Sequence, residues 1–389
     1  MSRTTPAPPW AALGGYAATR LLGLAALAVA SAATGEDGWH RLKGRWDSVW
    51  YTRIAEHGYG YEVTLPGGAV HADLAFFPLF PALERAVSAV LPVDAATAGL
   101  LLSWAASLAA AWGIHAVGAH VAGPRAGVVL AVLWGVYPTA FVQSMAYTET
   151  LFTALAAWSL LAVLRERWIL AGTLCALAGL TRPTAAALIA AIGITALATL
   201  VREFRGREPR APRETAPGAN RAPHPGRLRR IAPVVAGALL APLGWLAYIV
   251  YVGVLQGGAT AYFDVQAAWG NSIDGGVALA RFIAGLPWPA ALGLCAALGL
   301  LGWLVALCVR QRQPLPLLVY TVAVVAVSLV GAAYFGSRPR LMMPAFGLLL
   351  PPAAALARLR TRTAVPVLAG LALASACYGA FTLLGSGPP

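Results

Sequence analysis

Long apolar runs follow one another along this chain, and they constrain its fold more than any other feature. Of its 389 residues, 59% are hydrophobic and only 11% are charged, whereas an ordinary soluble domain has roughly 25% charged residues. A soluble protein of this size could not bury so much apolar surface, but a bilayer can cover it. The runs are uniformly apolar and rich in Ala and Leu, whereas membrane strands alternate apolar and polar residues. We therefore predict an all-α, polytopic membrane protein.

Eleven of these runs are candidate transmembrane helices, because crossing ~30 Å of hydrocarbon takes ~20 mostly apolar residues. The stretch 168–201 is divided at Thr181-Arg182-Pro183, since Pro removes a backbone donor and disfavours helix in the preceding residue. We expect the spans to form one transmembrane domain over residues 1–389. The predicted spans are residues 11–33, 95–120, 126–143, 147–165, 168–182, 184–201, 231–255, 286–309, 315–335, 341–357 and 364–384.

The distribution of charge predicts which helix ends face the cytoplasm. With the N-terminus inside, the inner segments carry 18 of the 28 Lys and Arg residues but only 4 of the 15 acids. This asymmetry satisfies the positive-inside rule, because Lys and Arg resist translocation. We therefore expect a multi-pass cell (plasma) membrane protein with a cytoplasmic N-terminus and an outer C-terminus. The predicted inner loops are residues 121–125, 165–167, 202–230, 310–313 and 358–362.

The net charge of +13 would raise nucleic acid as a partner in a soluble protein. Here the basic residues lie mostly in loops between apolar runs, so we expect the lipid bilayer as their partner and no nucleic acid. Residues 202–230, with nine Arg and five Pro, are predicted to be a basic cytoplasmic linker near anionic lipid. The four cysteines lie in apolar runs without metal spacing or a disulfide framework.

The N-terminal segment leaves a second interpretation open. Residues 1–33 contain Arg3, an apolar run from Leu21 and small residues at Ala28–Ala33, which are features of a cleaved signal peptide. We favour a retained first span, because the apolar region begins well before Leu21. In both cases the chain after residue 34 lies outside.

The outer segment 34–94 is rich in aromatic and acidic residues, and its helical stretches are too broken to span a membrane. Within it, Asp47 is well placed to cap a short helix over about 48–57, which Gly58 would end. A carboxylate at the membrane surface could also accept a proton from a sugar hydroxyl as that oxygen attacks. Capping and catalysis are compatible roles for the same side chain.

The aromatic residues of that short helix are predicted to share one face, suited to lying in the membrane interface. These residues are Trp50 and Tyr51, with Ile54 beside them. Further along, Pro78 and Pro81 disfavour a regular membrane helix and favour a re-entrant or surface-lying one.

His71 and Asp73 precede this proline-containing stretch on the outer side. A lone His–Asp pair is usually a loop hydrogen bond, but loops of this kind also carry binding sites. We therefore retain both as candidate substrate contacts. Two groups cannot fill a metal's coordination sphere, so we predict neither a metal site nor a cofactor.

Further polar clusters lie at the outer ends of predicted spans. Tyr147 and Glu149 open a helix, where an acid is either a partner of the helix dipole or a site residue. Arg182, Arg338 and Arg340 run against the charge rule, which indicates a specific anion partner. Arg suits phosphate because its planar fork can donate two parallel hydrogen bonds.

Together these motifs resemble those of the PIG-V-type mannosyltransferase family, membrane glycosyltransferases of the GT-C fold. The resemblance covers about residues 10–185 well and the remainder only by hydropathy. Where the family's eukaryotic members often have Glu-His-Asn, this chain has His71-Ala72-Asp73, a departure that concerns the acceptor contacts. The matching motifs are Arg45-Trp46-Asp47, Ile54-Ala55-Glu56-His57-Gly58-Tyr59, Ala75-Phe76-Phe77-Pro78-Leu79-Phe80-Pro81, Tyr147-Thr148-Glu149-Thr150-Leu151-Phe152 and Thr181-Arg182-Pro183.

The resemblance implies a GT-C-like helical bundle with a helical first outer loop that carries the catalytic carboxylate, for which Asp47 is the matching position. It implies a polyprenyl-phosphate sugar donor, with mannose as the expected sugar, and inverting transfer on the outer face. The acceptor expected for a bacterial member is a glycolipid, glycan or protein. The candidate substrate-binding residues are Arg45, Trp46, Trp50, Tyr51, His71, Asp73, Tyr147, Glu149, Arg182, Arg338 and Arg340.

Two other functions are compatible with the sequence. A transporter or lipid flippase would place ionisable groups near the bilayer midplane and often shows internal repeats. Here most ionisable groups lie at predicted outer helix ends and no repeat is evident, which favours chemistry at the surface. A GT-C enzyme that uses another sugar, such as arabinose or glucose, is the second alternative.

Overall fold

The computed structural model describes residues 9–205, 225–332 and 334–385. Most of the predicted basic linker, residues 206–224, lies outside the described residues. The described part contains eighteen α-helices and one two-stranded antiparallel hairpin. The strands are β1 (Glu62–Thr64) and β2 (Val70–Ala72), with Val63 opposite His71.

In chain order the helices are α1 (Trp10–Thr34), α2 (Gly38–Lys43), α3 (Asp47–His57), α4 (Leu79–Val90), α5 (Ala95–Ala122), α6 (Pro124–Gly135), α7 (Thr148–Leu164), α8 (Trp168–Gly179), α9 (Ala185–Arg205), α10 (Pro225–Leu240), α11 (Leu243–Gln256), α12 (Ala261–Ala268), α13 (Val277–Ala284), α14 (Trp288–Arg310), α15 (Leu315–Val330), α16 (Arg338–Met342), α17 (Leu350–Arg358) and α18 (Thr361–Leu384).

Six helices of the described part are long and apolar enough to cross a membrane: α1, α5, α9, the segment Arg229–Gln256 that includes α11, α14 and α18. The bent pair Phe335–Met342 and Phe346–Arg358 adds a seventh if it counts as one broken span. Helices α6, α7, α8 and α15 are apolar but shorter. The prediction of an all-α, multi-pass membrane protein is confirmed, while the number of eleven spans stays a prediction.

The helices pack closely because small residues lie at their contacts. At the crossing of α5 and α6, a Cβ added to Gly118 would lie 2.8 Å from the Cα of Gly127. Two backbones can approach this closely only without side chains between them, as is typical of membrane helices. Around this contact lies a core that includes Tyr16 stacked on Trp134, with ring centroids 5.4 Å apart.

The predicted span 126–143 is not one helix. Helix α6 ends at Gly135, and a 3₁₀ turn at Ala140–Ser144 follows after irregular backbone. Such backbone is tolerated at membrane depth only where protein covers it, and this turn is buried. The guanidinium of Arg20, which the sequence alone leaves unexplained, donates to the carbonyls of Gly135 and Ala140.

Side chains of α1, α5 and the 3₁₀ turn itself form further hydrogen bonds at this break. The Gln143 amide donates to the Trp134 carbonyl at 2.9 Å, and the Trp104 indole donates to the Ser144 carbonyl at 3.1 Å. The Tyr16 hydroxyl donates to the Gln143 side chain at 3.0 Å. The break therefore has a polar frame of its own inside the bundle.

Residues 34–94, which are predicted to lie outside, form a helical cap, as predicted, with α2, α3 and α4 beside the start of α5. We call it the outer cap after that prediction. The hairpin of β1 and β2 within it was not predicted. Helix α4 is amphipathic: Phe80 and Pro81 are buried, whereas Arg85 is exposed. The Leu79 N–H donates to the Leu180 carbonyl at 2.9 Å, which fixes the start of α4 beside the end of α8.

Three of the predicted inner loops meet at the other end of the bundle. They border one cleft or contact one another there, and they are residues 121–125, 310–313 and 358–362. The Arg125 guanidinium donates to the Leu359 carbonyl at 2.7 Å. Helix α5, with 28 residues, is about 42 Å long at 1.5 Å per residue, so it separates the two ends. The grouping of these loops agrees with the charge pattern, and the side of the membrane that they face stays a prediction.

We predict that Arg20→Met destabilises the protein, because it leaves the buried carbonyls of Gly135 and Ala140 without their donor. Each buried acceptor that loses its partner costs about 1–3 kcal/mol. The measurement is thermal unfolding of the purified protein in detergent. Arg310→Met is the matched control, because Arg310 is exposed at the end of α14. Equal thermal stability of the two variants would contradict the assigned role of Arg20.

Candidate active site

Four charged side chains from distant parts of the chain meet beside the outer cap. Asp47 begins α3, Glu149 lies in the first turn of α7, Arg182 lies between α8 and α9, and Arg340 belongs to α16. Arg340 Nη1 lies 2.5 Å from Asp47 Oδ2, and Arg182 Nη1 lies 2.5 Å from Glu149 Oε1. Arg340 Nε is also 3.6 Å from Glu149 Oε1. We call these four residues the ion cluster.

The ion cluster has one accessible end. The Glu149 side chain is fully buried, and those of Arg182 and Arg340 are 10% exposed, whereas that of Asp47 is 26% exposed. Burying charge is costly unless each ion has a partner of opposite sign, and here two carboxylates balance two guanidinium groups. Asp47 is therefore the member that an outside molecule reaches most readily.

Neutral groups hold the ion cluster in place. The Asp47 N–H donates to the Tyr147 hydroxyl at 3.0 Å, and Arg182 Nη1 donates to Thr148 Oγ1 at 2.9 Å. The Tyr51 hydroxyl lies 3.1 Å from the same Thr148 oxygen. Burial, aided by the charge of Asp47, raises the pKa of the Tyr51 hydroxyl above its ordinary value. Tyr51 therefore stays protonated and acts as a neutral hydrogen-bonding group.

The prediction that Asp47 caps α3 is wrong. The helix begins at Asp47 itself, and Trp46 occupies the N-cap position without a capping side-chain hydrogen bond. Gly58 ends the helix as predicted, with φ of 80°. Asp47 lies inside the first turn of α3. Its carboxylate pairs with Arg340 instead of capping the N–H groups at the start of the helix.

The residue before Asp47 has an unusual backbone. Trp46 has φ of 55°, and a positive φ is a genuine outlier for a bulky side chain. Strain of this kind costs about 1–3 kcal/mol and is concentrated at functional sites. Arg45 stabilises the turn: its guanidinium lies 4.2 Å from the Trp46 ring centroid and donates to the carbonyls of Leu383 and Gly385.

The aromatic face of α3 packs against protein instead of the membrane interface, contrary to the prediction. Tyr51 and Ile54 are buried, and Tyr51 contacts the rings of Phe76 and Tyr147 edge-on. Trp50, one helical turn after Asp47, is half-buried and meets Trp269 with ring centroids 4.9 Å apart. Trp269, which follows α12, carries only a weak signal in the sequence.

His71 and Asp73, retained from the sequence as candidate substrate contacts, have different partners. The ring of His71 stacks on that of Trp269, with centroids 4.1 Å apart. The Asp73 carboxylate accepts the N–H groups of Gly60 and Tyr61 at 3.0 and 2.9 Å, and Asp73 is buried. These bonds shape the loop before β1, so the placement favours a structural role for Asp73.

Arg338 lies apart from the ion cluster. Its two terminal nitrogens donate to the carbonyls of Leu329 and Gly331, each at 2.8 Å. It therefore supports the turn after α15, although it is only two residues from Arg340. Among the described residues, no group of three or more His, Cys, Asp or Glu side chains is arranged to hold a metal ion.

We predict that Glu149→Gln destabilises the protein, because it leaves two buried arginines with one carboxylate between them. Removing one partner of a buried ion pair costs about 3–5 kcal/mol. Thermal unfolding in detergent measures the change, and Glu62→Gln on the exposed strand β1 is the control.

The double variant Glu149→Gln/Arg182→Gln tests the pairing itself. If Glu149 and Arg182 stabilise each other, the double variant loses less stability than the sum of the two single losses. Strictly additive losses would show that the two side chains are independent.

Comparison with known proteins gives a fold relationship. No family model and no curated protein matches the sequence. The structure of ArnT from Cupriavidus metallidurans bound to undecaprenyl phosphate is similar, with a TM-score of 0.53 and 14% identity over 92% of this chain and 63% of that chain. The apo structure of the same protein has a TM-score of 0.50 and 14% identity, over 86% of this chain and 57% of that chain.

This chain therefore spans less than two thirds of the length of ArnT. At 14% identity the likeness establishes the fold and not the activity. The chain therefore shares the all-α membrane fold of ArnT.

Proposed function

We propose that the protein is an inverting glycosyltransferase that moves a sugar from a polyprenyl-phosphate donor to an acceptor on the outer membrane face. The observation that carries the proposal is the ion cluster, in which an accessible carboxylate, Asp47, lies against Arg340. A base and a phosphate-binding cation are the two groups that this reaction needs. The fold shared with ArnT, whose structure holds undecaprenyl phosphate, supports a donor of the polyprenyl-phosphate class.

In the proposed reaction, Asp47 accepts the proton of an acceptor hydroxyl as that oxygen attacks the sugar's anomeric carbon. The bond between this carbon and the phosphate oxygen breaks, and its electron pair leaves with the polyprenyl phosphate. Attack opposite to the leaving group inverts the configuration at the carbon. Arg340, with Arg182 behind it, stabilises the negative charge that develops on the phosphate.

The geometry narrows the substrate contacts expected from the sequence. Arg45 and Arg338 donate to backbone carbonyls, and Asp73 accepts backbone N–H groups. We assign them to positioning the outer segment and its neighbours. Trp50, half-buried and one turn from Asp47, is the aromatic side chain best placed to pack against a sugar.

Finer features of the proposal rest on the PIG-V resemblance. Mannose is the proposed sugar, and a glycolipid, glycan or protein is the proposed acceptor. We propose residues 34–94 as the outer catalytic loop of a single domain, with residues 202–230 as a basic cytoplasmic linker. A transporter is less well supported, because the ion cluster lies at helix starts beside the outer cap rather than midway along the spans.

We predict that Asp47→Asn lowers transfer by at least ~100-fold, because the amide cannot take the acceptor proton. The assay incubates purified protein with labelled polyprenyl-phosphate-mannose and a membrane lipid extract, and follows release or transfer of the label. Asp264→Asn is the control, since Asp264 is an exposed carboxylate bonded to Thr260 on α12. Thermal unfolding of each variant verifies that it is folded.

Full activity of the folded Asp47→Asn variant would remove Asp47 as the base. Parallel incubations with polyprenyl-phosphate glucose and arabinose test the sugar. Turnover with one of these and not with mannose would replace the sugar and keep the reaction. No turnover with any of the donors would count against the enzyme itself.

A further inference from the structure

A cleft lies at the end of the bundle opposite the ion cluster. It is an open cleft of about 710 Å³ between the junction of α5 and α6, the loop after α14, and α17. A cleft of this volume is within the range of small-molecule sites, about 300–1,000 Å³. Its lining residues include Gly123, Arg125, Gln313, Ala354 and Arg358.

The cleft is separate from the candidate active site. Ser103 of α5 bonds to Tyr147 beside the ion cluster, whereas Val121 of the same helix borders the cleft. The two residues are eighteen positions apart, which is about 27 Å of helix. No substrate group could contact both places at once, so the proposed transferase reaction does not account for the cleft.

The charge and the backbone of the cleft favour an anion. Arg125 and Arg358 are exposed and form no ion pair with any acid in the described ranges. Helix α6 starts here, after Gly123 and with Pro124 in its first turn. The first N–H groups of a helix have no intrahelical acceptor, and the helix dipole favours negative charge beside them.

A buried amide in the cleft adds a second requirement. Gln313 is 6% exposed, and its Nε2 donates to the Gly347 carbonyl at 3.0 Å. Its Oε1 is buried and accepts no hydrogen bond from the described residues. A buried carbonyl oxygen without a donor is costly, so a ligand with a hydroxyl group would satisfy it while the arginines hold the anion.

We propose that this cleft binds a phosphate ester that carries a hydroxyl group, with Arg125 and Arg358 on the phosphate and Gln313 on the hydroxyl. A glycerol phosphate has this chemistry. It occurs as the headgroup of phosphatidylglycerol and as a soluble phosphate ester. The inference does not depend on the proposed transferase activity, because it concerns a different end of the molecule.

Binding to the purified full chain in neutral detergent tests the proposal. Native mass spectrometry measures phosphatidylglycerol, and calorimetry measures glycerol 1-phosphate. Phosphatidylmethanol and methyl phosphate are the matched probes without the hydroxyl. We expect a probe with the hydroxyl group to bind about tenfold more tightly than its matched probe without it. One hydrogen bond accounts for a difference of about this size.

Three variants locate the binding. Arg358→Gln weakens it by about tenfold, the effect expected for one charged hydrogen bond. Ala354→Phe abolishes it by placing a bulky ring in the cleft without changing the charge. Arg362→Gln is the matched control, because Arg362 is exposed near the same end but does not line the cleft, and it leaves the affinity unchanged.

Binding of phosphatidylglycerol alone assigns the site to a lipid headgroup, and binding of glycerol 1-phosphate assigns it to soluble phosphate esters. Either result supports the proposal if the Ala354→Phe variant no longer binds the probe. The proposal is overturned if neither probe binds in a saturable manner, if the probes without hydroxyl bind equally well, or if Arg362→Gln weakens binding as much as Arg358→Gln.

Discussion

The buried carboxylate of Glu149, between Arg182 and Arg340, is the interaction on which the outer end of this molecule depends. A fully buried charge of this kind is tolerable only with its partners in place. Those partners come from the break between α8 and α9 and from the bent segment that contains α16. Arg340 in turn holds Asp47 at the start of α3. One buried acid therefore fixes the relative positions of three membrane segments and of the outer cap.

The sequence predicted the members of this cluster better than their partners. Arg182 and Arg340 stood out because they run against the positive-inside pattern, and an anion partner followed from that. The structure supplies two anions within the protein itself, Asp47 and Glu149. Arg338 carried the same signal and yet bonds to backbone carbonyls. Residues two apart on a short helix point in different directions, and no pattern of charge along the chain reveals which one faces the site.

Hydropathy predicted the membrane segments but not their interruptions. The break after α6 contains Tyr137, Pro138 and Thr139 between apolar residues, and hydropathy alone did not separate it from the span 126–143. In the structure, Arg20 marks this break. It lies 115 positions before Gly135 and donates to the Gly135 carbonyl. A cation in a membrane helix needs a partner, and here the partners are carbonyl groups that a broken helix leaves free. Arg20 and the residues of the break are both visible in the sequence, but no pattern along the chain indicates that they contact each other. The β1–β2 hairpin was missed for a related reason, since three-residue strands leave almost no periodic pattern.

The arrangement of the ion cluster also bears on how the proposed transfer could be timed. Asp47 shares Arg340 with Glu149, so Arg340 keeps a carboxylate partner if it moves towards a departing phosphate. In the proposed reaction, Asp47 would become neutral as it takes the acceptor proton and would then no longer hold the guanidinium of Arg340. At the same moment the leaving phosphate would gain negative charge, which the guanidinium of Arg340 can stabilise. Proton transfer to Asp47 and stabilisation of the phosphate would then assist each other, through a single arginine that never leaves the buried Glu149.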